Sequence, residues 1–84
     1  MKAKKGKKIP IEPGTQLSRL GERIKDLRKN RMGYTSAEIF AYEHGFGRTQ
    51  YARYENGEDL RFSTLVKIVS VFDMSLEEFF ADGF

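Results

Sequence analysis

The 84-residue sequence has no cysteine, no tryptophan, one histidine and two prolines. Without cysteine it has no disulfide to stabilise a small core, and no thiolate to bind a metal or attack a substrate. No apolar run approaches the roughly 18 residues that a membrane-spanning helix needs. The motifs of phosphate-binding and nucleophilic sites are missing as well. We therefore expect no enzymatic activity, no catalytic residue, no metal, no cofactor and no membrane association.

The length is enough for one domain and too short for two. Residues 1–14 are rich in lysine, contain both prolines and have no hydrophobic periodicity. They are predicted to form a flexible basic arm in front of a single domain over residues 15–84. No apolar stretch follows these lysines, as it would in a secretory signal, so we expect a cytoplasmic protein.

Positive charge is concentrated in the first two thirds of the chain. Residues 1–57 carry 13 Lys and Arg against six Asp and Glu, and residues 58–84 carry two against six. Such asymmetry is typical of a protein with a basic face for a polyanion. A basic arm on an ordinary solvated domain would give the same counts, because five of the lysines precede residue 15. Charge alone leaves both interpretations open.

Five helices and no strand are predicted from the hydrophobic spacing. The first helix runs from about Thr15 to about Arg31. Its apolar stripe consists of Leu17, Leu20, Ile24 and Leu27. The second helix, over residues 36–44, begins with a capping box in which Thr35 accepts from the first turn and Glu38 reaches back.

Two glycines separate the second helix from the third. Gly45 can take the left-handed conformation that ends a helix, and Gly47 can cap the next one, over residues 48–55. A strongly apolar fourth helix is expected from Phe62 to Phe72. Its β-branched residues would also suit a strand, but their spacing is helical. A short fifth helix follows the capping box of residues 75–78.

The third helix has two different faces. At 100° per residue, one side carries Arg48, Thr49, Ala52 and Arg53, with Gln50 beside them. Tyr51 and Tyr54 point to the opposite side and are expected to pack into the core. Arginine can donate two hydrogen bonds to guanine, and threonine can present its methyl group to thymine. Taken singly, arginines on a helix surface are more often simply solvated, so the polar face by itself leaves both interpretations open.

Two short helices joined around a glycine are typical of a helix-turn-helix. From Leu17 to about Phe80 the chain resembles the XRE family, the Cro and phage-repressor type of DNA-binding domain. The matching residues are Leu27-Arg28, Phe40-Ala41, Gly45-Phe46, Arg53-Tyr54-Glu55-Asn56-Gly57, Leu65 and Ser75-Leu76. The resemblance implies an all-α, lambda-repressor-like bundle of five helices.

The chain departs from the family pattern at three places. Ala37 stands where the family usually has a glutamine that contacts phosphate. The loop around residues 32–35 is about two residues longer than usual. The fourth helix opens at Leu60-Arg61 instead of proline-serine. These departures affect the expected phosphate contacts of the second helix and leave the third helix unchanged.

The resemblance implies sequence-specific binding of double-stranded DNA by a transcriptional regulator, as a repressor-type homodimer. It assigns base reading to Arg48, Thr49, Gln50 and Arg53. It assigns phosphate contacts to Ser36, Asn56, Gly57 and Arg61. It also implies that Arg28 and Glu55 form a structural pair, the alternative being two independent exposed charges. The single histidine, His44, is expected to pack in the core and not to bind a metal.

Three phenylalanines near the C-terminus allow two interpretations. Phe79, Phe80 and Phe84 either complete the core or form a partner surface, and we expect a dimer on the second reading. An alternative function is an antitoxin or adaptor of the same fold that binds another protein. A dedicated partner-binding segment would favour that alternative, and we expect none. No small-molecule effector is expected, and the arm lysines either add non-specific DNA affinity or only aid solubility.

Overall fold

The computed structural model describes residues 11–81, which form five α-helices and no strand. The helices are α1 (Pro13–Asp26), α2 (Ala37–Glu43), α3 (Arg48–Glu55), α4 (Phe62–Val71) and α5 (Leu76–Ala81). A π-helical turn, Leu27–Arg31, continues α1 without a break. The all-α, five-helix architecture predicted from the hydrophobic spacing is confirmed.

Two helices begin at other residues than predicted. α1 starts at Pro13 instead of about Thr15, because the fixed φ of proline suits the first helical position and its missing N–H is not needed there. At α2 the N-cap is Ser36 and not Thr35: the Ser36 hydroxyl accepts a hydrogen bond from the Ile39 amide at 3.1 Å. Most of the predicted arm, residues 1–10, lies outside the described residues, as do residues 82–84.

All five helices contribute to one core. Its buried residues are Leu20, Ile24, Leu27, Phe40, Ala41, Tyr51, Tyr54, Leu65, Ile68, Val69, Phe72 and Phe79. Phe40 lies at the centre, with the rings of Tyr51 and Phe72 at 5.1 and 5.8 Å between centroids. Phe62 and Val66 were expected on the apolar side of α4, but they are 64% and 39% exposed. They lie on the face of α4 that points away from the core.

Residues of the first helical segment fix the ends of the later helices. Gly21 lies so close to α3 that a Cβ there would be 2.5 Å from the carbonyl oxygen of Glu55. Arg31 donates to the carbonyl oxygen of Phe72 at 2.7 Å, where α4 ends. Arg23 donates to the carbonyl oxygen of Phe79 at 3.0 Å in α5. These contacts position α3, α4 and α5 against the first helical segment.

The last helix begins with the predicted capping box. The Ser75 amide donates to the Glu78 carboxylate at 2.8 Å, and the Glu78 amide donates to the Ser75 hydroxyl at 3.0 Å. The carboxylate and the positive end of the helix therefore stabilise each other. These bonds lower the pKa of Glu78.

Candidate nucleic-acid interface

The turn between α2 and α3 is closed by backbone hydrogen bonds. Gly45 has φ +80°, the left-handed conformation predicted for it. The Phe46 amide donates to the Ala41 carbonyl at 2.8 Å, and the Gly45 amide donates to the Tyr42 carbonyl at 3.4 Å. This pair of bonds is a Schellman motif. The Phe46 ring stacks on Tyr51 at 5.9 Å, which ties the turn to the next helix.

α3 places the predicted base-reading residues together on one exposed face. Arg48, Thr49, Gln50 and Arg53 are all exposed, and Ala52 between them is half-buried. Tyr51 and Tyr54 are buried on the other side, as predicted. Within residues 11–81 the guanidinium groups of Arg48 and Arg53 have no hydrogen-bond or ion-pair partner. Both guanidinium groups are therefore available to an external ligand.

The residues predicted to contact phosphate form two groups. Ser36 is half-buried at the start of α2, and its hydroxyl oxygen already accepts the capping bond. Asn56, Gly57 and Arg61 follow α3, with Asn56 and Arg61 exposed. Gly57 has φ +92°, and its amide donates to the Tyr54 carbonyl at 3.1 Å. A glycine is favoured there because the chain reverses in a left-handed conformation.

Arg28 and Glu55 form a bidentate ion pair inside the domain. Nε and Nη2 of Arg28 donate to the two carboxylate oxygens at 2.7 and 3.0 Å. The two side chains are 5% and 7% exposed, so they are not independent surface charges. The bond to Glu55 raises the pKa of Arg28 above its usual value, although burial acts in the opposite direction. The pair connects the π-helical turn to the last residue of α3.

Two polar groups near this helix are enclosed in the domain. The Tyr51 hydroxyl has no hydrogen-bond partner of good geometry within the described residues, although it lies beside the Arg28–Glu55 pair. Burial raises the pKa of Tyr51, and the neighbouring carboxylate raises it further. His44 packs 4.7 Å from the Phe40 ring, with its Nε2 enclosed. In residues 11–81 no three His, Cys, Asp or Glu side chains are grouped to hold a metal.

The sequence did not single out two apolar residues of α2 beside the exposed face of α3. Ile39 and Tyr42 are 53% and 76% exposed. With Glu38 and Arg48 they line a concavity of about 280 Å³. The helical period places both residues opposite the buried Phe40-Ala41 pair, which was the available signal. Their position against α3 is a tertiary feature.

Comparison with known proteins gives one match. A family model described as Helix-turn-helix matches residues 24–79, about two thirds of the chain. The matched segment contains the Gly45 turn, all of α3 and both members of the Arg28–Glu55 pair. No curated protein and no solved structure matches the chain. None of the described helices is long and apolar enough to cross a membrane.

Proposed function

Because this chain belongs to the XRE family of helix-turn-helix proteins, which are DNA-binding transcription regulators, we propose that it binds specific sequences of double-stranded DNA as a repressor-type homodimer. Its all-helical architecture agrees with the lambda-repressor-like fold. We further propose that it acts in the cytoplasm, without enzymatic activity and without a small-molecule effector.

The observation that carries the proposal is the division of α3 into two faces. The buried tyrosines hold the helix against the core, and the opposite face presents two arginines, a threonine and a glutamine to solvent. In helix-turn-helix complexes the second helix lies in the major groove with its N-terminal residues at the base edges. Arg48 and Arg53 are proposed to contact guanine, Thr49 a thymine methyl group, and Gln50 an adenine.

Phosphate contacts are proposed at both ends of the reading face. The Ser36 hydroxyl can still donate a proton while its oxygen accepts the capping bond. Asn56, Gly57 and Arg61 lie where the chain leaves α3, and this turn is proposed to approach the DNA backbone beside the groove. Such contacts position the protein and carry no base information directly.

The dimer is proposed to form through α4 and α5. Of the three phenylalanines that the sequence offered as a partner surface, not all are available for it. Phe79 is fully buried in the core and is not available to a partner. Phe80 is 39% exposed, and Phe84 lies outside the described residues. The exposed Phe62 and Val66 of α4 are the further apolar residues for such a contact.

The experiment is selection of bound sequences from a random DNA pool, followed by titration of variants on the selected site. Arg48→Ala and Arg53→Ala should each weaken binding by about 1–3 kcal/mol and relax preference at particular base pairs. Arg61→Ala is the matched control, because losing a phosphate contact should weaken all sequences alike and reduce the salt dependence. Equal losses on every sequence for the two α3 variants would show that they are phosphate contacts.

The exposed apolar side chains of α4 and α5 also support an alternative, an antitoxin or adaptor of the same fold. In that case Phe62, Val66 and Phe80 would contact a different protein. Recovery of one stoichiometric protein partner with the tagged chain, combined with failure to select any DNA sequence, would favour this alternative.

A further inference from the structure

The outward face of α2 carries two large apolar side chains that the core does not use. Ile39 and Tyr42 are separated by three positions, so they are neighbours on the helix surface. They are mostly exposed, whereas Phe40 and Ala41 between them are fully buried. Single exposed apolar residues are common on protein surfaces. This pair differs because it borders the proposed DNA-reading helix.

Ile39 and Tyr42 share a concavity with the first residue of that helix. The lining consists of Glu38, Ile39, Tyr42 and Arg48, and the volume is about 280 Å³. Arg48 is part of the proposed base-reading face. Successive bases on one strand are about 3.4 Å apart along the helix axis. Because Arg48 also lines the concavity, a base next to the one it contacts would be within reach of Ile39 and Tyr42.

The lining selects among the groups that a major groove presents. The carboxylate of Glu38 repels a phosphate oxygen, so the DNA backbone is a poor occupant. The base edges offer hydrogen-bond donors and acceptors, which Ile39 and the Tyr42 ring cannot satisfy, and one apolar group, the C5-methyl of thymine. A methyl group is neutral and fits between Ile39, Tyr42 and the aliphatic part of Arg48.

On the basis of the proposed function, we propose that this concavity receives the C5-methyl group of a pyrimidine next to the base contacted by Arg48. Ile39 and Tyr42 are then specificity-determining residues on α2, in addition to those on α3. Thymine and 5-methylcytosine carry the same methyl group at the same position. The recognised chemistry is a 5-methylpyrimidine in the major groove.

The test removes only the methyl group. Each thymine of the selected site is replaced singly by deoxyuridine, and wild-type protein is titrated with every version. At one position per half-site, next to the base pair affected by Arg48→Ala, affinity should fall about fourfold, the effect of burying one such group. In Ile39→Ala and Tyr42→Ala this thymine-to-deoxyuridine ratio should approach one.

The control is Ile11→Ala, which removes an exposed apolar side chain before α1 and should leave the ratio unchanged. Thermal melting of each variant verifies folding. A second series places cytosine or 5-methylcytosine at the same position. Tighter binding of the methylated base supports recognition of the methyl group, and equal binding of the two bases contradicts it.

Several outcomes would overturn the proposal. If wild-type protein selects a site but deoxyuridine is tolerated at every position, the concavity does not read a methyl group, and the proposed function stands. If Ile39→Ala weakens all sequences alike, the surface contacts the backbone instead. If no sequence is selected, both the proposed function and this inference are wrong.

Discussion

The guanidinium of Arg28 joins three parts of the molecule. Two of its N–H groups reach Glu55 at the end of α3, and a third donates to the Tyr34 carbonyl at 2.7 Å, in the loop before α2. Because the pair is almost fully buried, neither charge can be solvated if the other is removed. The position of α3, the proposed reading helix, therefore depends in part on this buried ion pair.

Glu55→Ala is expected to destabilise the domain by about 3 kcal/mol, because it leaves the Arg28 charge buried without a counter-charge. Urea denaturation monitored by circular dichroism measures this loss. Glu58→Ala, which removes an exposed carboxylate three residues further on, should change stability by less than about 0.5 kcal/mol. An unchanged midpoint for Glu55→Ala would contradict a stabilising role for the pair.

Gly21 is a second residue on which the packing of α1 against α3 depends. Gly21→Ala should destabilise by about 1–3 kcal/mol, because its Cβ would meet the Glu55 and Tyr54 carbonyl oxygens at 2.5 and 2.8 Å. Gly14→Ala is the control in the same helix, where no atom lies within 4 Å of the added Cβ. That variant should be neutral or more stable by up to about 1 kcal/mol. Equal changes in the free energy of unfolding for the two variants would show that α1 and α3 can move apart without loss of stability.

At the scale of elements, α2, α3 and α5 are too short to be stable alone. Each depends on its caps and on the core residues that it contributes. α3 is closed at its end by the Gly57 turn and held by its two tyrosines. α5 depends on its capping box and on the buried ring of Phe79. Caps therefore carry a larger share of local stability than they do in long helices.

The α5 capping box predicts a pH dependence. The pKa of Glu78 is lowered in the folded state, so its contribution is present above the unfolded value, about 4.3, and is lost as pH falls through the lower folded value. Glu78→Gln keeps an acceptor oxygen but removes this titration. The stability difference between wild type and Glu78→Gln should therefore shrink between pH 6 and pH 3.

Urea denaturation at several pH values measures this difference. Glu77→Gln removes the preceding carboxylate of the same helix and serves as the control. A difference that stays constant across the pH range for Glu78→Gln would mean that the capping bond does not depend on the carboxylate charge.

At the scale of the whole molecule, the proposed reading face and the exposed apolar residues of α4 and α5 lie on different helices. The arginines of α3 form the proposed reading face, whereas Phe62, Val66 and Phe80 are exposed on α4 and α5. A two-fold dimer through the second set would leave both reading helices accessible. It would place them about 34 Å apart, one turn of DNA.

Sedimentation should therefore show a dimer, either free at micromolar concentration or on DNA. Phe62→Lys should weaken self-association by placing a charge in the contact. Ile11→Lys makes the same exchange at a position that is 77% exposed before α1, and it should have no effect. A protein that stays monomeric both free and on its selected site would exclude the proposed dimer.

Much of the candidate site could be predicted from the sequence, because it depends on local and periodic properties. Gly45 and Gly57 indicated the turns, since few other residues adopt a positive φ at low cost. The 3.6-residue period separated Arg48 and Arg53 from Tyr51 and Tyr54. The capping box at Ser75 was predicted for the same reason, since its bonds span only three residues.

The tertiary structure alone decided which of several similar apolar side chains are buried. Phe62 and Phe79 are equally hydrophobic, but only Phe79 faces the core, because burial depends on where a neighbouring helix packs. The close approach at Gly21 and the concavity at Ile39 likewise depend on how two helices pack against each other. Helical periodicity determines which side chains share a face, and the packing of helices against one another determines whether that face is buried or exposed.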